Sequence, residues 1–164
     1  MGVEIFGREM GLPIRDRQER GCGFVVIIGE RYSSPPTEPT EPLAASSYSG
    51  ERLRSLADLS SEEYERRADR ANLLPGSGQD EWDMMAARQR AAEFISLLQH
   101  RFVILLGRKV ASAFGIFSQW FEETRSYSAE YYVMPHPSGM NRWWNTPRNM
   151  EQAREFMSWA LSGR

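Results

Sequence analysis

The chain has 164 residues, a formal net charge of −2, and 41% hydrophobic, 12% aromatic and 26% charged residues. This length suits one domain spanning residues 1–164 with a real core, and the slight acidic balance argues against wrapping nucleic acid through a basic excess. A single cysteine, Cys22, excludes an internal disulfide and a cysteine-based zinc site.

In chain order, the N-terminal stretch carries Glu4, Arg8 and Glu9 and has no apolar signal core. Secretion is therefore not expected, and a cytoplasmic, reducing location is. The first strong element is "FVVII" (Phe24 to Ile28), a β-branched and aromatic run between "GCG" and "GE" that reads as a strand buried on both faces. The segment Ser33 to Gly50 holds four of the nine prolines and almost no large apolar residue, so it reads as an extended loop or lid. "SSEEYERRADRANLL" opens with Ser60 and Glu63 in capping-box spacing and reads as a helix. Asp80 is placed to cap a second helix over "EWDMMAARQRAAEFISLLQH", with Trp82, Met85, Phe94, Leu97 and Leu98 on its apolar side.

"FVILL" (Phe102 to Leu106), ending in Gly107, repeats the strand pattern, and "RKVASAFGIFSQWF" follows it as a helix. Tyr131 to Met134 is a third strand, stopped by Pro135. The last helix runs from Pro147 or Asn149 to Leu161, with Phe156, Trp159 and Ala160 toward the core and one of Trp143 and Trp144 packed beneath it. Alternating strands and helices imply a three-layer α/β/α sandwich with a short, mostly parallel central sheet. No run is long enough to cross a bilayer.

In such sheets ligands collect at the carboxyl ends of the strands. Glu30, Arg31 and Tyr32 follow the first strand, Arg108 and Lys109 the second, and His136, Ser138, Asn141 and Arg142 the third. Pro135 and Pro137 frame His136, and Gly139 permits a sharp turn. A neutral imidazole held there can donate to an oxyanion, an interaction worth about 3 to 4 kcal/mol in acyl-transfer sites. His100 and His136 are the only histidines, and no phosphate loop or dinucleotide fingerprint is present, so metal and nucleotide-cofactor chemistry lack their usual residues. From Arg101 onward eight basic residues face five acidic ones, which leaves the C-terminal part at +3. Nineteen of the twenty basic residues are arginines, suited to phosphates and base edges.

Together "IIGERYS", "ILLGRKVASAFG" and "HPSGMN", with "RANLLPG" in the place of a second strand, resemble the uracil-DNA glycosylase superfamily in order and spacing over residues 22 to 161. The resemblance implies a base pocket beginning at Gly29 and Glu30, with Tyr32 where the family has a proline. It implies that Asn72 reads the Watson-Crick edge of a flipped pyrimidine, because an amide both donates and accepts. It further implies that His136 faces the carbonyl oxygen of the departing base, that Ser138 and Gly139 grip a phosphate, and that Met140 is the wedge filling the gap left by base flipping. Asn141 and Arg142 complete the substrate-binding set. Arg31 stands where the family has a water-positioning aspartate or asparagine, so either the chemistry rests on leaving-group stabilisation alone, or Glu30 is recruited to position the water, or the relative binds or modifies the base without hydrolysing the bond. The implied activity is hydrolysis of the N-glycosidic bond of uracil or a modified pyrimidine in DNA or a nucleotide, without metal or cofactor; no membrane partner is expected, and a monomer is the default where the sequence leaves the oligomeric state open. A base- or nucleotide-modifying enzyme on the same fold, with Arg31 as substrate anchor, and a non-catalytic nucleic-acid or protein-binding module are the alternatives.

Overall fold

The computed structural model describes residues 25–31, 41–76 and 81–162. Five strands form one sheet in the order β2-β1-β3-β5-β4: β1 (Val25–Gly29), β2 (Ala68–Asn72), β3 (Phe102–Leu106), β4 (Thr124–Ser126) and β5 (Ala129–Met134). The first four in spatial order are parallel, and only the edge strand β4 runs antiparallel, against β5. The mostly parallel sheet expected from the sequence is thus present.

The helices are α1 (Tyr48–Leu56), α2 (Ser61–Arg67), α3 (Met84–Ile95), α4 (Arg108–Ala113) and α5 (Pro147–Ala160), with a 3-10 turn over Arg142–Asn145. Alternation along the strands divides the core in two. Val26, Ile28, Val103, Leu105, Tyr131 and Val133 meet Ala87, Ala91 and Phe94 of α3 and Val110 of α4. Ile27, Phe102, Ile104, Leu106, Tyr132 and Met134 meet Leu53 of α1, Tyr64 of α2 and Phe156 and Met157 of α5. Both faces are covered, so β1 and β3 are apolar throughout.

Several expectations are corrected. The helix beginning at Ser60 has its capping box, with the Ser60 hydroxyl accepting from the Glu63 amide and the Glu63 carboxylate accepting from the Ser60 amide, but it ends at Arg67. The following "ADRAN" is strand β2, extended because pairing with β1 and full burial outweigh its helical propensity. Helix α3 starts later than expected and is capped by Asp83, whose side chain accepts from the Ala86 amide; Asp80 lies outside the described residues. That shift turns Met85 outward, 82% exposed. The helix after β3 lasts only to Ala113, because Gly115 takes a left-handed turn at φ 71°. The extended loop expected over Ser33 to Gly50 is not extended throughout its described part: Leu43 and Ala45 are buried, and Tyr48 already begins α1.

Helix α1 sits tightly on that loop. A Cβ added at Gly50 would lie 1.8 Å from the Ala44 carbonyl oxygen, which accepts from both the amide and the hydroxyl of Ser47. Backbone cannot yield as a side chain does. Gly50→Ala is expected to cost about 1 to 3 kcal/mol as overpacking, read as a lower thermal midpoint; an unchanged midpoint would show that this loop adjusts freely.

Candidate active site

Sheet order sets the carboxyl ends of β2, β1, β3 and β5 side by side. Gly29 pairs with Asn72 in register, and both end their strands. The Asn72 side chain leans across Gly29, so that a Cβ there would meet Asn72 Oδ1 at 3.3 Å and the Leu43 methyls at 3.5 and 3.6 Å. Asn72 is only 2% exposed. The next exit residue, Glu30, is half-buried, and its backbone carbonyl accepts from the Leu74 amide at 3.0 Å.

Between Glu30 and His136 stands Gly107, the residue after β3, at φ 92°. A Cβ on it would be 3.5 Å from Glu30 Oε2 and 3.5 Å from His136 Cβ. Glycine is needed here for its dihedral angle and for the closeness of its neighbours. Glu30 and His136 therefore flank one backbone point, and Asn72 lies against Gly29, the residue before Glu30.

The loop after β5 is folded around His136. The Ser138 amide donates to His136 Nδ1 at 3.2 Å. A nitrogen that accepts carries no proton, so in the neutral ring the proton sits on Nε2. The carbonyl oxygen of His136 accepts from Trp144 Nε1 at 2.7 Å and from Asn141 Nδ2 at 3.1 Å. Asn141 Oδ1 in turn accepts from the Trp143 amide and caps the 3-10 turn. Burial lowers the pKa of His136 below the ordinary 6.5; the negative charge of Glu30 opposes this and the positive charge of Lys109 adds to it. The ring is held neutral with a donor facing away from its own loop.

Other expected residues fall into place differently. Arg31 Nη1 donates to the Glu81 carbonyl at 3.1 Å, and its guanidinium lies 5.6 Å from the Trp82 ring centroid. Lys109 Nζ approaches the same ring at 5.8 Å. Arg108 turns away onto Trp120, 3.8 Å from its centroid, and donates to the Ser118 carbonyl. Gly139 is exposed beneath the Tyr48 ring, whose hydroxyl would be 3.3 Å from a Cβ there. Met140 is 91% exposed and Arg142 is exposed on the 3-10 turn. Tyr32 lies outside the described residues. Trp144 is buried and Trp143 packs tilted on Phe121, so both tryptophans pack. Two cavities, of about 300 and 530 Å³, open elsewhere, and neither is lined by Glu30, Asn72 or His136.

Gly107 and Tyr48 were not expected beside this loop from the sequence, and Trp144, expected only to pack, also anchors the His136 carbonyl. Only Gly107 left a signal, as the glycine closing an apolar strand before a helix.

A mostly parallel α/β sheet places an amide (Asn72), a carboxylate (Glu30) and an imidazole (His136) at the carboxyl ends of β2, β1 and β5, where α/β proteins bind ligands. The comparison with family models narrows this: the model of the uracil DNA glycosylase superfamily matches residues 25–158. The chain belongs to that superfamily and has its DNA glycosylase-like fold. A search of curated proteins found no match. Among the described residues, no helix is long and apolar enough to cross a membrane.

Proposed function

We propose that this single-domain protein is a DNA N-glycosylase that takes a flipped pyrimidine, uracil or a modified one, and hydrolyses its glycosidic bond. The observation that carries the reading is the tautomer of His136, fixed by the Ser138 amide on Nδ1 so that Nε2–H is the donor. As the bond from C1′ to the base nitrogen breaks, its electron pair passes into the pyrimidine and charge builds on the ring carbonyl. The Nε2–H group donates to that oxygen without transferring its proton. Water supplies the oxygen that bonds to C1′, Glu30 receives the proton released, and the departing anion is then protonated to the neutral base. No metal or organic cofactor enters these steps.

Asn72 selects the base by pairing an amide with its polar edge. Asn72→Ala is expected to cost about 1 to 3 kcal/mol of discrimination between pyrimidines, read as the ratio of uracil to cytosine released from matched oligonucleotides. The activity itself is tested by incubating a uracil-containing oligonucleotide with the protein and cleaving abasic sites with alkali. Absence of abasic product from every pyrimidine lesion tried would refute the reading.

A further inference from the structure

Beside the catalytic loop, α1 and α5 leave a groove of about 300 Å³. Its walls follow from helical spacing: Tyr48, Glu51 and Arg52 lie on one face of α1, and Met150 and Arg154 lie one turn apart on α5. The groove begins where the proposed substrate loop ends, since Tyr48 covers Gly139 and Met140 stands exposed next to it.

Arg52 is pre-set for an anion. Its guanidinium is sandwiched at 5.2 Å from the Tyr48 centroid and 4.9 Å from the Trp144 centroid, and Nη2 donates to the Tyr48 hydroxyl at 2.9 Å. Nη1 is buried and has no acceptor among the described residues. The Arg52 charge lies in the groove wall, and a phosphate is the best complement to a guanidinium. Arg154, exposed on the opposite wall, makes no ion pair among the described residues. Tyr48 is 58% exposed and offers a ring face to a base. Glu51 is the one acidic wall residue, which leaves two cations against one anion.

We infer that this groove carries the nucleic-acid strand beyond the flipped nucleotide, with a phosphodiester between Arg52 and Arg154 and the adjoining base stacked on Tyr48. The inference rests on the reading of a DNA substrate. It gives the protein a track for phosphates despite its net negative charge, concentrated where the strand leaves the site.

The test is fluorescence anisotropy with a labelled single-stranded 11-mer carrying one central uracil, titrated at several salt concentrations. Arg154→Gln and Tyr48→Ala are each expected to weaken binding about 5- to 20-fold. Arg154→Gln should also reduce the slope of log affinity against log salt by about 0.7, the value for one lost phosphate contact on a single strand. Arg88→Gln, an exposed change on α3 away from the groove, serves as the control and binds as the wild type does. Far-ultraviolet circular dichroism verifies that each variant is folded. Binding by both groove variants within two-fold of wild type, with unchanged salt slope, overturns the inference even if wild type releases uracil. Weakened binding by the variants without base release by wild type from any pyrimidine lesion supports the groove and removes the glycosylase reading. Failure of wild type to bind the 11-mer at low salt overturns the inference, whereas the glycosylase reading stands or falls on abasic product.

Discussion

His136→Ala is expected to slow single-turnover release of uracil by about two to three orders of magnitude, the loss that follows removal of one donor to a developing oxyanion. The fold should survive, because the loop is held through the backbone carbonyl of residue 136, which accepts from Trp144 and Asn141 whatever side chain it carries. The effect should therefore fall on the rate at saturation, with little change in the concentration needed to reach it. A rate within ten-fold of wild type would remove His136 from the mechanism.

The pH profile carries a second signature. Nε2–H is required in a neutral ring, so activity is present above the folded-state pKa of His136 and lost as pH falls through it. Burial and Lys109 hold that pKa below 6.5, which puts the acid limb on the acid side of an ordinary histidine. Lys109→Gln removes a positive charge, raises the His136 pKa and moves the limb to higher pH. Glu30→Gln removes the opposing negative charge and moves whatever activity remains to lower pH. Stability follows the same sign: below pH 6.5 the unfolded chain takes up a proton that the native ring resists, so acid disfavours the fold. An acid limb at or above pH 6.5, or one that Lys109→Gln leaves in place, would contradict the assignment.

The parts that the sequence displayed openly were those where one physical signal acted alone. β1 and β3 are buried on both faces, and no competing pattern obscures five apolar residues in a row. The prolines around His136 likewise marked a fixed loop. Strand β4 was hidden by residue types that belong elsewhere, and β2 showed through the family resemblance of "RANLLPG" but not through its own local pattern. The β4–β5 hairpin turns at Tyr127 and Ser128, both with positive φ, where asparagine and glycine would have announced the turn. β2 reads "ADRAN", three polar residues in five, and its polarity was legible as a helix surface after a correct capping box. What the local pattern could not contain was the partner of each polar group: Asn72 faces Gly29, Arg70 lies 5.5 Å from the Tyr64 centroid and pairs with Glu41, and Asp69 finds Arg101. The same limit applies to the site. That Glu30 and His136 follow strands could be read from the sequence, but the glycine that lets them approach and the tryptophan that anchors the loop depend on tertiary contacts.

The Asp69–Arg101 pair is the place where that hidden partnering should weigh most on stability. Asp69 lies on β2 and Arg101 just before β3, so their bond, 2.6 Å long, spans the amino end of β1 at the edge opposite the site. Their side chains are only 4% and 2% exposed. Removing one partner leaves a charge buried among groups arranged for its counterpart, which typically costs about 3 to 5 kcal/mol. Asp69→Ala should accordingly lower the thermal midpoint by roughly 6 to 20 °C for a chain of this size. The double replacement Asp69→Leu with Arg101→Met removes both charges and their desolvation together, and should recover most of the loss, since apolar residues of similar volume often match a buried pair. The distinction matters for function. If Asp69→Ala unfolds the protein while the double variant both folds and retains its rate of base release, the pair fixes the strand order that aligns Asn72, Glu30 and His136 and contributes nothing to their chemistry. A single variant melting within 2 °C of wild type would instead mean that water or neighbouring polar groups relieve Arg101, and that apolar packing alone sets the register of β2.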